Sequence, residues 1–177
     1  MTEYYFDTET TGLDSHKDKI ITIQWQELDE LTGKPIGDLQ ILKEWESSEK
    51  GILEKFLPKL TCNPWNFVFI GKNLLFDFMF LDRRLKHHNL GEFDLSCAQE
   101  RVVLDIKPIL IMINRGFKGY SRVFDEHATL DRVNVPELYE QKNFPTIIKY
   151  IEEETKVFIE NYQILKEKMP LLLKHFQ

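Results

Sequence analysis

The stretch Tyr4-Tyr5-Phe6-Asp7-Thr8-Glu9-Thr10-Thr11-Gly12-Leu13 decides how this chain is read. Its aromatic opening, from Glu3 to Phe6, predicts a β-strand, and Asp and Glu are poor strand formers to place directly after it. The side-chain period of a strand is two, so Asp7 and Glu9 project from one face while Phe6 and Thr8 point the other way. Two carboxylates held that close raise each other's pKa unless a cation sits between them, and hard divalent ions such as Mg2+ take oxygen ligands of this kind. The spacing predicts a metal-binding pair at a strand mouth. The plainer alternative is two solvated acids leading into a turn.

Outward from this strand, Lys19 to Glu27 alternates and is β-rich, which predicts an antiparallel partner across the turn Gly12-Leu13-Asp14-Ser15. A third strand is expected over Ile36 to Leu42, and Ser47 or Ser48 is placed to cap a helix over Glu49 to Leu60. The apolar run Asn66 to Ile70 reads as a buried strand ending at Gly71, followed by a helix from about Leu75 to His88. Arg101 to Leu104 is a fifth strand closed by Asp105, which reads equally as a ligand or as a cap before Ile106. Asn114 to Pro136 has no clear period and is expected to be loop with short helical turns. Pro145 starts a long helix that reaches about Lys168, where Pro170 interrupts it. This order of elements predicts an α/β fold with a central mixed five-stranded sheet flanked by helices.

A length of 177 residues with 42% hydrophobic content fits one domain over residues 1–177. The formal charge of -6 and a pI near 5.4 argue against non-specific coating of nucleic acid, although a local groove beside an acidic site remains compatible with it. Cys62 and Cys97 have no CxxC or zinc spacing, which suggests reduced core thiols in a cytoplasmic protein. No run approaches the roughly eighteen apolar residues of a membrane span, so no membrane partner is expected. Oligomeric state is not legible.

Two further acids stand out. Asp77 is the one charged residue in Leu74-Leu75-Phe76-Asp77-Phe78-Met79-Phe80-Leu81, and a carboxylate among such neighbours has to be paired, protonated or metal-bound. Asn73 is placed to cap that helix. In Glu152-Glu153-Glu154, a rotation of about 100° per residue puts Glu154 inside the apolar stripe Ile147, Ile151, Phe158, Tyr162 and Leu165, and its two neighbours outside. Tyr150 lies one turn before Glu154 on the same side.

With these residues assembled, the chain resembles the DEDD superfamily of 3′→5′ exonucleases, which have an RNase H-like fold. Asp7-Thr8-Glu9-Thr10-Thr11-Gly12-Leu13 is similar to the first family motif, and Asn73 through Leu81 to the second. The third motif of the tyrosine branch is Tyr, three residues, then Asp; here Tyr150 is followed at that spacing by Glu154, one methylene longer. The histidine branch requires His, four residues, then Asp, whereas only three residues separate His127 from Asp131, so this pair is the reserve assignment.

The resemblance implies phosphodiester hydrolysis at single-stranded DNA or RNA 3′ ends, assisted by two Mg2+ or Mn2+ ions, with release of nucleoside monophosphates. Asp7 would touch both ions, Glu9 and Glu154 would complete the nucleophile-side ion, and Asp77 would hold the leaving-group side. Tyr150 would orient the attacking water. Thr10 and Leu13 match positions that meet the terminal nucleotide, by backbone hydrogen bonding and by wedging against its base, and Asn73 would help hold that end. The competing expectation is a catalytically weak nucleic-acid-binding or adaptor domain on the same fold; a third is a structure-selective endonuclease. Arg83, Arg84, Lys86, Arg115, Lys118 and Arg122 read as ordinary charge on exposed faces, and Phe117 and Tyr120 as packing aromatics. His16, His87, His88 and His175 form no ligand spacing.

Overall fold

A computed structural model of the chain describes residues 1–93, 103–113 and 133–174. The strands are β1 (Glu3–Thr10), β2 (Ile20–Leu28), β3 (Pro35–Lys43), β4 (Val68–Gly71) and β5 (Val103–Asp105). The helices are α1 (Glu49–Thr61), α2 (Leu74–His87), α3 (Ile106–Ile113), α4 (Val135–Glu140) and α5 (Phe144–Lys174). The sheet runs β3-β2-β1-β4-β5. It is mixed: β1 pairs antiparallel with β2 and parallel with β4, β2 pairs antiparallel with β3, and β4 pairs parallel with β5.

The alternation of β1 divides the core. Phe6 joins Ile23 and Phe69 against Ile52 and Phe56 of α1 and Phe78 and Leu81 of α2. Tyr5 joins Val68 and Ile70 on the other face, against Ile106 and Leu110 of α3 and Phe158, Tyr162 and Leu165 of α5. Helices therefore cover both faces, as a sheet with apolar residues on both sides requires. Helix α5 is also fastened to the start of β1, where the Tyr162 hydroxyl donates to Glu3 Oε2 at 2.7 Å and Lys166 Nζ to Oε1 at 2.8 Å.

Two devices set where α2 begins. Gly71 ends β4 where a Cβ would lie 2.7 Å from the Phe6 carbonyl oxygen and 2.4 Å from Leu74 Cδ2, so only glycine lets the chain turn there. The Asp105 carboxylate then accepts the backbone N–H groups of Asn73 at 2.8 Å and Leu74 at 3.0 Å. The cap of α2 is thus Asp105, not the side chain of Asn73. Asn73 stands in the left-handed region at φ 70, unlike the extended backbone of an ordinary capping residue, and its Oδ1 accepts from Lys107 Nζ instead. Ser48 caps α1 by accepting from Gly51 N–H at 3.0 Å.

Several boundaries differ from the sequence reading. β1 continues past Phe6 to Thr10, because pairing with β2 carries the two acids into the ladder. The end of the expected loop before Pro136 is helical: Asn134 caps α4 and proline occupies its first turn, where its missing N–H costs nothing. Helix α5 runs on through Pro170, since one lost backbone hydrogen bond late in a 31-residue helix does not unwind it. Cys62 is half-buried rather than a core residue. The parts of the reading that fall on Cys97, Arg101, Val102, most of the 114–136 segment including Arg115, Phe117, Lys118, Tyr120, Arg122, His127 and Asp131, and His175, lie outside the described residues.

Arg84 is not a surface charge. It is 6% exposed and clamps Glu49, itself 5% exposed, through Nε at 2.8 Å and Nη2 at 2.7 Å. Glu49 also accepts from Ile20 N–H at 2.8 Å and meets His88 Nε2 at 2.7 Å. Burial pushes the Glu49 carboxyl up, but these partners outweigh it and hold it below its usual value. The cluster joins α1, α2 and the start of β2. Arg84→Met, which strands a buried carboxylate, is expected to cost about 3–5 kcal/mol in urea unfolding at pH 7; a loss under about 1 kcal/mol would show that the cluster carries no stability.

Candidate active site

The face of β1 that carries Asp7 and Glu9 is the one α5 covers, and the apolar stripe of α5 brings Glu154 to them. Ile147, Ile151, Phe158, Tyr162 and Leu165 are all buried, while Glu152 and Glu153 are exposed and Glu154 is half-buried. Asp7, Glu9 and Glu154 each offer a carboxylate oxygen, and these oxygens lie within 4.8 Å of one another. Tyr150 lies one turn before Glu154, near enough for each to shift the pKa of the other.

Asp77 arrives from the opposite side. It is 2% exposed, and its Oδ1 accepts from Thr8 N–H at 3.1 Å and from the Thr8 hydroxyl at 2.6 Å. Three carboxylates thus share one spot, and the fourth grips the residue between the first two.

Electrostatics confirm the crowding. Burial, then Asp77, Glu154 and Glu9, push Asp7 well above the carboxylate range, and burial followed by Glu154 and Asp77 does the same to Glu9. Burial raises Glu154, opposed by Tyr150 and by Lys72. Asp77 is pushed up to about 7 by burial, against the lowering effect of its Thr8 bonds. Tyr150 is raised by burial and by Glu154. An oxygen-only donor set that repels itself in this way fits a hard divalent cation, which would relieve the repulsion.

The residues expected to meet a terminal nucleotide sit around the rim. Leu13 is 87% exposed and borders a groove of about 370 Å³ with His16, Met79 and Arg83. The Thr10 hydroxyl donates to the Gly12 carbonyl at 2.6 Å, shaping the turn that presents Leu13. Asn73, bound to Lys107 and Asp105, stands beside the start of α2. Asp105 also accepts from Lys107 N–H at 2.9 Å, the cap expected before Ile106.

Two features escaped the sequence reading. Lys72 lines a small pocket with Tyr5, Asp7, Glu154 and Phe158, and burial lowers its pKa while Glu154 and Asp7 raise it. Its signal was a cation wedged between a buried strand and a buried helix start. Gln24 donates from Nε2 to Asp7 Oδ2 at 3.2 Å; the signal there was an amide within the apolar run of β2.

A family model of the RNase H superfamily matches residues 4–141. The chain belongs to the RNase H superfamily. Among solved structures, this RNase H-superfamily chain resembles E. coli exonuclease I in complex with a dA16 oligonucleotide, at a TM-score of 0.66 and 11% identity over 98% of this chain and 42% of that one. The complex of the same enzyme with a dT13 oligonucleotide gives 0.65 and 12% over 98% and 43%. Exonuclease I from Methylocaldum szegediense gives 0.60 and 13% over 96% and 41%. At these identities the likeness is one of fold. The chain spans about two fifths of the length of those proteins. No curated protein matches it by sequence. Among the described residues, no helix is long and apolar enough to cross a membrane.

The raised carboxylates make stability depend on pH with a definite sign. A folded pKa above the unfolded one favours the fold while the group is protonated, and that advantage is lost as pH rises through the folded value. For Asp77, moving from 3.8 to about 7 corresponds to about 4 kcal/mol. In EDTA, the melting temperature is expected to fall between pH 5 and 8, and Mn2+ to restore it. Asp77→Asn keeps an oxygen to accept both Thr8 bonds, so it should melt higher than wild type at pH 8 in EDTA. Equal melting temperatures there would refute the crowding.

Proposed function

We propose that the chain is a metal-dependent 3′→5′ exonuclease of the DEDD type, acting on single-stranded DNA or RNA ends and releasing nucleoside monophosphates. The observation that carries this reading is the convergence of Asp7, Glu9 and Glu154 within 4.8 Å, with Asp77 one residue away, on an RNase H-superfamily sheet. The oligonucleotides held in the exonuclease I structures support a single-stranded substrate.

In this reading Asp7, Glu9, Asp77 and Glu154 would hold two Mg2+ or Mn2+ ions, which when bound lower the pKa of a water and stabilise the departing 3′ oxygen. Asp7, which all three other acids repel, would be the shared ligand. Tyr150 belongs to the tyrosine-branch arrangement. Its raised pKa keeps the phenol protonated at neutral pH, so it orients the attacking water by a hydrogen bond rather than taking the water's proton. Leu13 wedges against the terminal base, and Thr10 and Asn73 hold the terminal nucleotide. Arg83, across the groove from Leu13, faces the strand that enters.

The test uses 5′-labelled single-stranded DNA and RNA with Mg2+ or Mn2+. Stepwise shortening from the 3′ end is expected, reduced at least about 10³-fold in Asp7→Ala and about 10²-fold in Tyr150→Phe. Binding without turnover under both metals would replace this reading with the adaptor one, and cutting of a circular substrate would replace it with an endonuclease.

A further inference from the structure

Behind Asp7 the sheet carries a buried polar pair that the proposed chemistry leaves unused. β2 places Gln24 opposite Asp7 and Thr22 opposite Glu9. Cross-strand partners share a face, so both side chains lie on the side of the carboxylates. Both residues are 0% exposed, in a run whose neighbours Ile20, Ile21 and Ile23 are equally buried. An amide at such a site costs free energy unless its hydrogen bonds are made.

They are made in one direction. The Thr22 hydroxyl donates to Gln24 Oε1 at 3.0 Å, and Gln24 Nε2 donates to Asp7 Oδ2 at 3.2 Å. With its oxygen engaged by Thr22, the amide can present only N–H to Asp7. Turned over, it would aim an oxygen at a carboxylate oxygen. The Tyr5 hydroxyl adds a longer contact to the same Oδ2 at 3.5 Å. Asp7 Oδ2 is therefore held from behind by the protein, which fixes the plane of the carboxylate.

We propose that Thr22 and Gln24 form a positioning relay that fixes the orientation of the Asp7 carboxylate for metal binding. The inference rests on the metal reading of the site. Neither residue touches substrate; both act through Asp7. Hydrogen-bond partners behind a metal ligand typically govern affinity by about 10- to 100-fold.

The experiment measures Mn2+ affinity by calorimetry, melting temperature in EDTA, and kcat at saturating Mn2+. Gln24→Met is expected to weaken Mn2+ binding about 10- to 100-fold, and Thr22→Val by several-fold. Thr22→Ser, which keeps the hydroxyl, should restore wild-type affinity. At saturating Mn2+ kcat should return towards the wild-type value, because the relay acts through the metal alone. Should Gln24→Met fail to fold, the Val and Ser variants at position 22 decide the matter. Wild-type Mn2+ affinity in Thr22→Val with a lowered melting temperature would mean a merely structural pair and overturn the relay. Absence of Mn2+ binding by the wild type would overturn the metal reading itself, a separate failure.

Discussion

Mutual repulsion among four carboxylates at the end of β1 is the constraint around which the described structure is organised. Left to solvent these groups would separate and ionise; here burial raises all four, and the neighbouring acids raise Asp7 and Glu9 further. Something else has to hold them together. On one face it is the aromatic layer of Tyr5, Phe158 and Tyr162 together with the Glu3 anchor to Tyr162 and Lys166, which keeps α5 against β1. On the other it is Phe6, enclosed by Phe56, Phe69 and Phe78, which keeps α2 there. Burying each such side chain is worth about 1.5–3 kcal/mol, so a handful of them exceeds the strain of the cluster.

The placement of Asp77 depends on groups far from it in sequence. Asp105 at the end of β5 fixes the first turn of α2, Gly71 lets β4 pass close enough to Phe6 for that turn to form, and the Glu49–Arg84–His88 cluster fixes the last turn against α1 and β2. A helix held at both ends cannot rotate to withdraw one side chain. That rigidity keeps a carboxylate with a raised pKa pressed onto Thr8 instead of swinging to water. The result is a preformed set of carboxylates, which would spare a binding ion the cost of gathering them.

What could be read in advance followed from local periodicity. The period of two in β1 separated Asp7 and Glu9 from Phe6 and Thr8, and the rotation of α5 picked Glu154 from three adjacent acids. Asp77 was legible as a carboxylate in need of a partner, but not as a ligand of Thr8, because the face of β1 on which α2 packs is a tertiary fact. Gln24 and Lys72 carried signals of burial but not of their partners, for a related reason. Nothing local distinguishes an amide opposite an acid from one opposite solvent until the register of β2 on β1 is known. Arg84 was misread because a helix that is polar along one edge looks the same whether that edge meets water or a buried Glu49. The cap of α2 fell to Asp105 rather than to Asn73 because a cap can come from a neighbouring strand as readily as from the preceding residue.

The longer acid at position 154 follows from the same packing. The rings of Tyr5 and Phe158 lie 4.8 Å apart, centre to centre, between β1 and α5, and they set how near the helix can come to the strand. At that separation Glu154 brings an oxygen to within 4.8 Å of both Asp7 and Glu9. An aspartate on the same backbone would end about 1.5 Å short of that position. Side-chain length at 154 and ring size at 5 and 158 together therefore set how near the third carboxylate comes to the first two.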